Sequence, residues 1–330
     1  MKIAILGAGS WGTALGQILH ENGHEVCLWH LEEDFVNSIN ETYVHPFLPE
    51  LRLNSNLLFT SSLDEIFQYG DLLVSALPSQ VVRKVLDQCN HSFDKPVISV
   101  SKGIENQTCQ RMSQIISETL NMSINEIIVL SGPSHAEEVA KKHPTAIVAA
   151  SNDENNARLV QKLFSNEYFR VYTSSDVIGV EFGGAAKNII ALAAGICHGA
   201  GYGDNTMAAL ITRGLEEITR LGIKLGAQRS TFSGLSGMGD LVVTAFSEHS
   251  RNRQVGDRIG RGEELDDILS DMDMVAEGVA TTRSMHDLSK KENVEMPICE
   301  QIYRVLFEGV PPKDAILQLM GRELVGEHSV

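Results

Sequence analysis

Six residues near the N-terminus, Gly7-Ala8-Gly9-Ser10-Trp11-Gly12, constrain the fold of this chain more than any other feature. They read G-x-G-x-x-G, and their surroundings give the pattern its weight. An apolar run, Lys2–Leu6, precedes them, a helical pattern, Trp11–Asn22, follows, and a second apolar run, Glu25–Trp29, closes a unit of about 30 residues. That order predicts a strand, a tight turn, a helix and a second, parallel strand. Gly7 is expected to make the turn, Gly9 to let a pyrophosphate approach the backbone, and Gly12 to let helix and strand pack closely. Ser10 and Trp11 open the helix, where unpaired N–H groups and the helix dipole favour an anion. The turn is therefore expected to hold a dinucleotide.

The first half continues in the same style. Short runs rich in Val, Ile and Leu at Leu57–Thr60, Asp71–Leu77, Pro96–Val100, Ile127–Leu130, Thr145–Ala150 and Phe169–Thr173 are continuous rather than alternating, as strands buried on both faces should be. Helical patterns such as Gln80–Gln88, Gln110–Leu120 and Asp153–Phe164 separate several of them. The expected fold class is α/β: a Rossmann-like, doubly wound, mainly parallel sheet. After about Asp176 the strand pattern stops, and Thr206–Leu221, Glu277–Lys290, Pro297–Phe307 and Pro312–Met320 read as helices, with Pro297 and Pro312 at first-turn positions. The expected division is a dinucleotide-binding domain over 1–176 and an all-helical substrate and catalytic domain over 177–330.

Composition excludes some roles. With 27 Lys and Arg against 43 Asp and Glu, the net charge is −16, which repels nucleic acid and anionic membrane. The uncharged stretch Asn188–Gly203 is 16 residues, short of the ~20 that a spanning helix needs, so no membrane span is expected. Five widely spaced cysteines without C-x-x-C read as reduced core thiols of a cytoplasmic protein. The histidines lack ligand spacing, and no metal site is expected.

The end of the second strand bears on cofactor choice. A carboxylate there bonds the ribose 2′-OH of NAD. Here the strand ends at Trp29-His30-Leu31, and Glu32 and Glu33 come later, at a helix start. His30 is expected to favour NADP(H), with NAD(H) left open by Glu32.

The chemistry concentrates further on. From Phe182 to Gly203, Lys187 is the only Asp, Glu, Lys or Arg, and Gly183, Gly184, Ala185 and Ala186 crowd it with small neighbours. A lysine on a buried helix has a lowered pKa suited to proton transfer; the competing reading is a lysine that snorkels to the surface. In Gly237-Met-Gly239-Asp240-Leu-Val-Val-Thr244, Asp240 is placed to pair with Lys187, or merely to cap a helix. Ser250 is a good N-cap for a helix running to about Gly260, and Arg251 and Asn252 beside it make an anion site. Ser101-Lys102-Gly103 and Ser131-Gly132-Pro133-Ser134-His135-Ala136 follow predicted strands and should face the cofactor cleft.

These segments, with Glu181–Gly195 and Val275-Ala276-Glu277-Gly278, resemble the NAD(P)-dependent glycerol-3-phosphate dehydrogenases of the bacterial single-chain type, in the family's order across nearly the whole chain. The resemblance implies reversible reduction of dihydroxyacetone phosphate to sn-glycerol 3-phosphate, feeding phospholipid synthesis. By matching motif, Lys187 is the catalytic proton donor and acceptor. Lys102, Gly132, Ser134, Lys187, Asp240, Ser250, Arg251 and Asn252 hold substrate. Ser10, Trp11, His30, Lys102, Ala136, Arg251, Val275 and Glu277 contact the dinucleotide. A homodimer is what the resemblance adds about assembly. The alternatives are a hydroxyacyl-CoA or ketopantoate type of reductase, or a non-catalytic NADPH sensor, which would need Gly7–Gly12 but not a solitary buried lysine.

Overall fold

The computed structural model describes residues 1–89, 93–272, 275–324 and 326–327. Its strands are β1 (Lys2–Leu6), β2 (Glu25–Trp29), β3 (Val44–His45), β4 (Leu48–Arg52), β5 (Leu58–Thr60), β6 (Leu72–Ser75), β7 (Val97–Ser99), β8 (Ile127–Ser131), β9 (Thr145–Ala150) and β10 (Phe169–Ser174). Eight of them form one sheet in the order β10-β9-β8-β7-β6-β1-β2-β5. All neighbours are parallel except β8 and β9, which pair antiparallel through Val129–Ala150 and Ser131–Val148. The apolar runs are continuous because helices cover both faces: Ile3, Ile5, Leu6, Val26, Leu28, Leu72, Leu73 and Val74 are fully buried.

From β1 the chain moves outward to β2 and β5, then returns across β1 to lay down β6. The crevice at that reversal, outside the carboxyl ends of β1 and β6, is where an open sheet of this kind takes a ligand. The loops after β2, β7 and β8 open on the same edge, so His30, Lys102 and Gly132 are brought toward the glycine turn by topology alone.

Past β10 every described element is a helix. Asp176 caps the helix Val177–Gly199, accepting from Gly179 N (2.9 Å), and also takes Gln228 N (2.9 Å) and Thr231 Oγ1 (2.6 Å). This helix is the axis of the second half. Its glycines let another helix, Arg251–Gly260, lie against it backbone to backbone: a Cβ on Gly195 would fall 2.1 Å from Arg253 O, and one on Gly256 2.1 Å from Leu192 O. That contact fixes the start of the second helix, and with it Ser250, Arg251 and Asn252.

The ground for one expectation and the content of two others need correction. By length and composition, Val177–Gly199 is able to cross a membrane. Glu181 and Lys187 hid it from a search for uncharged runs, and in the fold it is a core helix, with 94% of its most apolar window buried. Of the five cysteines, Cys27, Cys197 and Cys299 are buried, but Cys89 and Cys109 are only half-buried. The helix expected over Gln80–Gln88 is a 3-10 turn, Ser79–Val81, running into a short helix, Val82–Leu86. The chain also makes elements not expected above: the short helices Glu33–Thr42 and Leu63–Tyr69, each with only a few apolar residues on its buried face, and the antiparallel hairpin β3–β4.

Candidate active site

The glycine turn is built as its spacing predicts. Gly7 has φ 109°, a conformation that disfavours a side chain, and a Cβ there would lie 2.7 Å from Ala76 O. A Cβ on Gly12 would lie 1.9 Å from Gly7 O. Gly9 is different. Its φ of −72° suits any residue, and a Cβ would meet nothing within 4 Å. Nothing in the protein requires glycine there, so the open space beside it fits the close approach of a bound pyrophosphate. Gly9 also precedes the first turn of the helix Ser10–Glu21, where Trp11 Nε1 is buried without a hydrogen-bond partner. The turn and helix start thus fit a dinucleotide.

At the end of β2, His30 Nδ1 accepts from Glu32 N (3.2 Å), so its proton sits on Nε2, and the ring stacks on Phe35 with centroids 3.9 Å apart. Burial lowers the His30 pKa, against the pull of the Glu32 carboxylate. The imidazole is therefore a neutral Nε2–H donor of fixed orientation, suited to a phosphate oxygen or a ribose hydroxyl.

The charged centre lies between the two halves. Lys187 is 6% exposed and does not snorkel. The neighbouring glycines admit its surroundings: a Cβ on Gly183 would fall 2.7 Å from Ser236 O, and one on Gly184 2.4 Å from Ser131 Oγ. Lys187 Nζ donates to Asp240 Oδ1 and to Thr244 Oγ1 (2.6 Å). Thr244 Oγ1 donates in turn to Asp240 O (2.6 Å). The other carboxylate oxygen, Oδ2, accepts from Lys102 Nζ (2.7 Å), which also donates to Gly132 O (2.9 Å). Asp240 is 1% exposed and bridges two ammonium groups. A π-helical turn, Leu235–Gly239, delivers Asp240 to this position before the helix Asp240–Phe246 begins.

The electrostatics follow from that geometry. Burial pushes Lys187 down to about 7, with the Lys102 charge in the same direction and Asp240 opposing. Burial works against ionisation of Asp240, but Lys102 and Lys187 outweigh it and hold the carboxyl below its ordinary range. The result is an anion fixed between two cations, one of them poised to lose its proton near neutral pH. Beside them, His135 is held neutral by burial and by the charges of Lys187 and Lys102.

The remaining residues expected at the site fall in two groups. Ser250 Oγ caps its helix by accepting from Arg253 N (3.3 Å). Asn252 Oδ1 accepts from Gly278 N (2.8 Å), and Arg251 Nη1 donates to Val275 O (2.8 Å), so the 250–252 and 275–278 segments are joined. Glu277 accepts from Ser79 N (2.9 Å) and from Ser79 Oγ, and burial raises its pKa. It ties the helix Glu277–Glu292 to the loop after β6, beside the dinucleotide crevice. Ser134 Oγ donates to Gly132 O (2.9 Å), and Ala136 begins the short helix Ala136–Ala140. Val275 is exposed.

Sequence reasoning missed several supports. Lys102 as a second partner of Asp240 needs the crossing of two loops 138 residues apart. Glu181, singled out only for its neighbourhood, accepts from Ser113 N and Ser113 Oγ (both 2.7 Å) and from Arg111 Nη1 (2.6 Å), joining the core helix to the sheet layer. His45, on the unannounced hairpin, donates to Ala8 O within the glycine turn. No local pattern signals any of these. Among the described residues, no group of three or more His, Cys, Asp or Glu gathers to hold a metal ion.

The chain matches known proteins over nearly its whole length. The family model for the N-terminus of NAD-dependent glycerol-3-phosphate dehydrogenase matches residues 2–157, and that for its C-terminus matches residues 176–317. A protein of Syntrophotalea carbinolica named glycerol-3-phosphate dehydrogenase (NAD(P)+) is 52% identical over 331 residues, covering 99% of each chain. One of the same name from Staphylococcus aureus is 49% identical, again over 99% of each. The crystal structure of glycerol-3-phosphate dehydrogenase from Coxiella burnetii superposes with a TM-score of 0.92 at 35% identity, over 97% of this chain and 99% of that one.

Proposed function

Because the chain belongs to the family of NAD-dependent glycerol-3-phosphate dehydrogenases, we propose that it is an NAD(P)H-dependent oxidoreductase that reversibly reduces dihydroxyacetone phosphate to sn-glycerol 3-phosphate for glycerophospholipid synthesis, with Lys187 moving the proton. The observation that carries this reading is the buried Lys187–Asp240–Lys102 arrangement beside the dinucleotide crevice.

The turn Gly7–Gly12 with Ser10 and Trp11 would hold the pyrophosphate, His30 the adenosine ribose, and Ala136, Val275 and Glu277 the wall of the crevice. When bound, the nicotinamide supplies or takes the hydride at the carbinol carbon. As charge develops on the ketone oxygen, Lys187 Nζ stabilises it and gives up a proton; in the reverse direction the neutral amine takes the proton from the hydroxyl. Asp240 and Thr244 fix the lysine's position, and Lys102 supplies a second positive charge at the same place. Arg251 and Asn252, at a helix N-terminus capped by Ser250, would bind the substrate phosphate, with Gly132 and Ser134 on the facing loop. Phosphate binding away from the reacting carbon orients the ketone. The reading extends to a small phosphorylated substrate and to a cytoplasmic enzyme working as a homodimer.

Two measurements test this. Purified protein is expected to oxidise NADPH, read as loss of nicotinamide absorbance, when dihydroxyacetone phosphate is added. Folded protein that binds NADPH and leaves it unchanged would reject the substrate assignment. NADPH is further expected to be used at least as well as NADH, because His30 stands where an NAD-selecting carboxylate would be. His30→Asp should then shift kcat/KM toward NADH. A wild-type preference for NADH would overturn the assignment to the 2′-phosphate.

A further inference from the structure

We infer that His45 is a positioning residue for the dinucleotide: from behind the glycine turn it aims the Gly9 N–H at the pyrophosphate. This rests on the reading of Gly7–Gly12 as a dinucleotide site.

His45 is 0% exposed, and both ring nitrogens are committed. Nδ1 accepts from Phe47 N (3.2 Å), so the proton is on Nε2, which donates to Ala8 O (3.0 Å). Ala8 is the residue between the first two glycines of the motif. Its own N–H donates to Trp29 O (2.8 Å), as does that of Gly7 (3.1 Å). The peptide groups on both sides of Ala8 are thereby pinned, one by β2 and the other by His45.

The consequence follows from peptide geometry. The Ala8–Gly9 peptide is planar and trans, so the Ala8 carbonyl and the Gly9 N–H point in opposite directions. With the carbonyl held toward His45, the Gly9 N–H faces away from it. Of the three motif glycines, Gly9 is also the one whose Cβ would meet nothing within 4 Å. Without the imidazole, the buried carbonyl loses its partner and the peptide plane is free to turn.

The hairpin β3–β4 delivers this ring: Leu48 and Leu51 are buried in the same apolar cluster as Ile3, Ile5 and Ala8. His45 packs at right angles to Phe35 (5.5 Å, 81°), whose ring stacks on His30. The segment thus braces the turn; of the ring's contacts, the one to Ala8 bears on the pyrophosphate, and the one to Phe35, which an aromatic replacement keeps, bears on the His30 end.

The test is the dissociation constant of NADPH and of NADH, measured by calorimetry on the whole chain with His45→Phe and His45→Gln. Phenylalanine fills the space without a donor; glutamine restores a donor. His45→Met, flexible and also without a donor, takes the place of a phenylalanine variant that does not fold. Loss of one oriented contact to a phosphate should raise both constants roughly tenfold, with the NADPH-to-NADH ratio unchanged and with glutamine recovering most of the loss. Unchanged constants in a folded variant of lower melting temperature would make His45 merely structural and overturn the inference. So would a change in the ratio, which would move the effect to the adenosine end. Failure of the wild type to bind either nucleotide is separable, because it removes the dinucleotide reading itself.

Discussion

Lys187→Met is expected to lower kcat by about 10²–10⁴, the usual worth of a positioned general acid, while NADPH affinity stays within a fewfold of wild type. The nucleotide is assigned to the glycine turn, which Lys187 does not touch. Methionine keeps most of the side-chain volume, so the packing of Ala185, Ala186 and Ile190 should survive. The same assignment sets the sign of the pH dependence. Burial brings Lys187 down to about 7. Reduction requires the ammonium form, so its rate should fall as pH rises through that region. Oxidation requires the neutral amine, and its rate should rise over the same interval. In Lys187→Met both limbs should vanish from the residual activity. A variant with near-normal kcat would remove Lys187 from the chemistry and leave Lys102, the other lysine on Asp240, as the proton donor. Melting temperature measured on the same preparation separates a lost acid from a lost fold.

What was legible in the sequence is what depends on neighbours in the chain. The strand–turn–helix unit at Lys2–Trp29 is readable because each glycine answers a local demand, and the structure meets those demands at Gly7 and Gly12. The helix Arg251–Gly260 is readable from Ser250, whose hydroxyl caps it. Lys187 stands out because a lone charge in a small, apolar stretch has to be buried with a partner or expelled, and Asp240 proves to be the partner.

The rest depends on residues distant in the chain. Asp240 was legible as a counter-charge to Lys187, but its second ion pair, with Lys102, exists only because the loop after β7 crosses the π-helical turn. Glu277 sits on Ser79, 198 residues away, and Glu181 on Ser113, 68 residues away. The hairpin carrying His45 has two short strands, one interrupted by Pro49, so no alternation marks it. The membrane-length helix was missed for the opposite reason: its two charges are what the interior is arranged to hold.

The second large effect is expected at Asp240. Asparagine keeps the shape of the side chain and removes its charge, leaving two ammonium groups facing each other in a buried site. Removing one partner of a buried pair typically costs about 3–5 kcal/mol. Lys102 is the more exposed of the two lysines, at 19% against 7% of side-chain surface, and is free to turn toward water. Lys187 is not, so it should shed its proton instead. Asp240→Asn should therefore melt several degrees lower and lose reduction activity at neutral pH, with its activity limb moved to lower pH because the group opposing deprotonation is gone. The decisive comparison is the double variant Lys187→Met/Asp240→Asn. If the cost of Asp240→Asn comes from denying Lys187 its counter-charge and forcing it to give up its proton on folding, replacing that lysine should return much of the lost stability, and the two substitutions will be strongly non-additive. Additive losses would mean that Asp240 acts through packing or through its contact with Lys102, and the pairing would then not be what holds Lys187 in its reactive state.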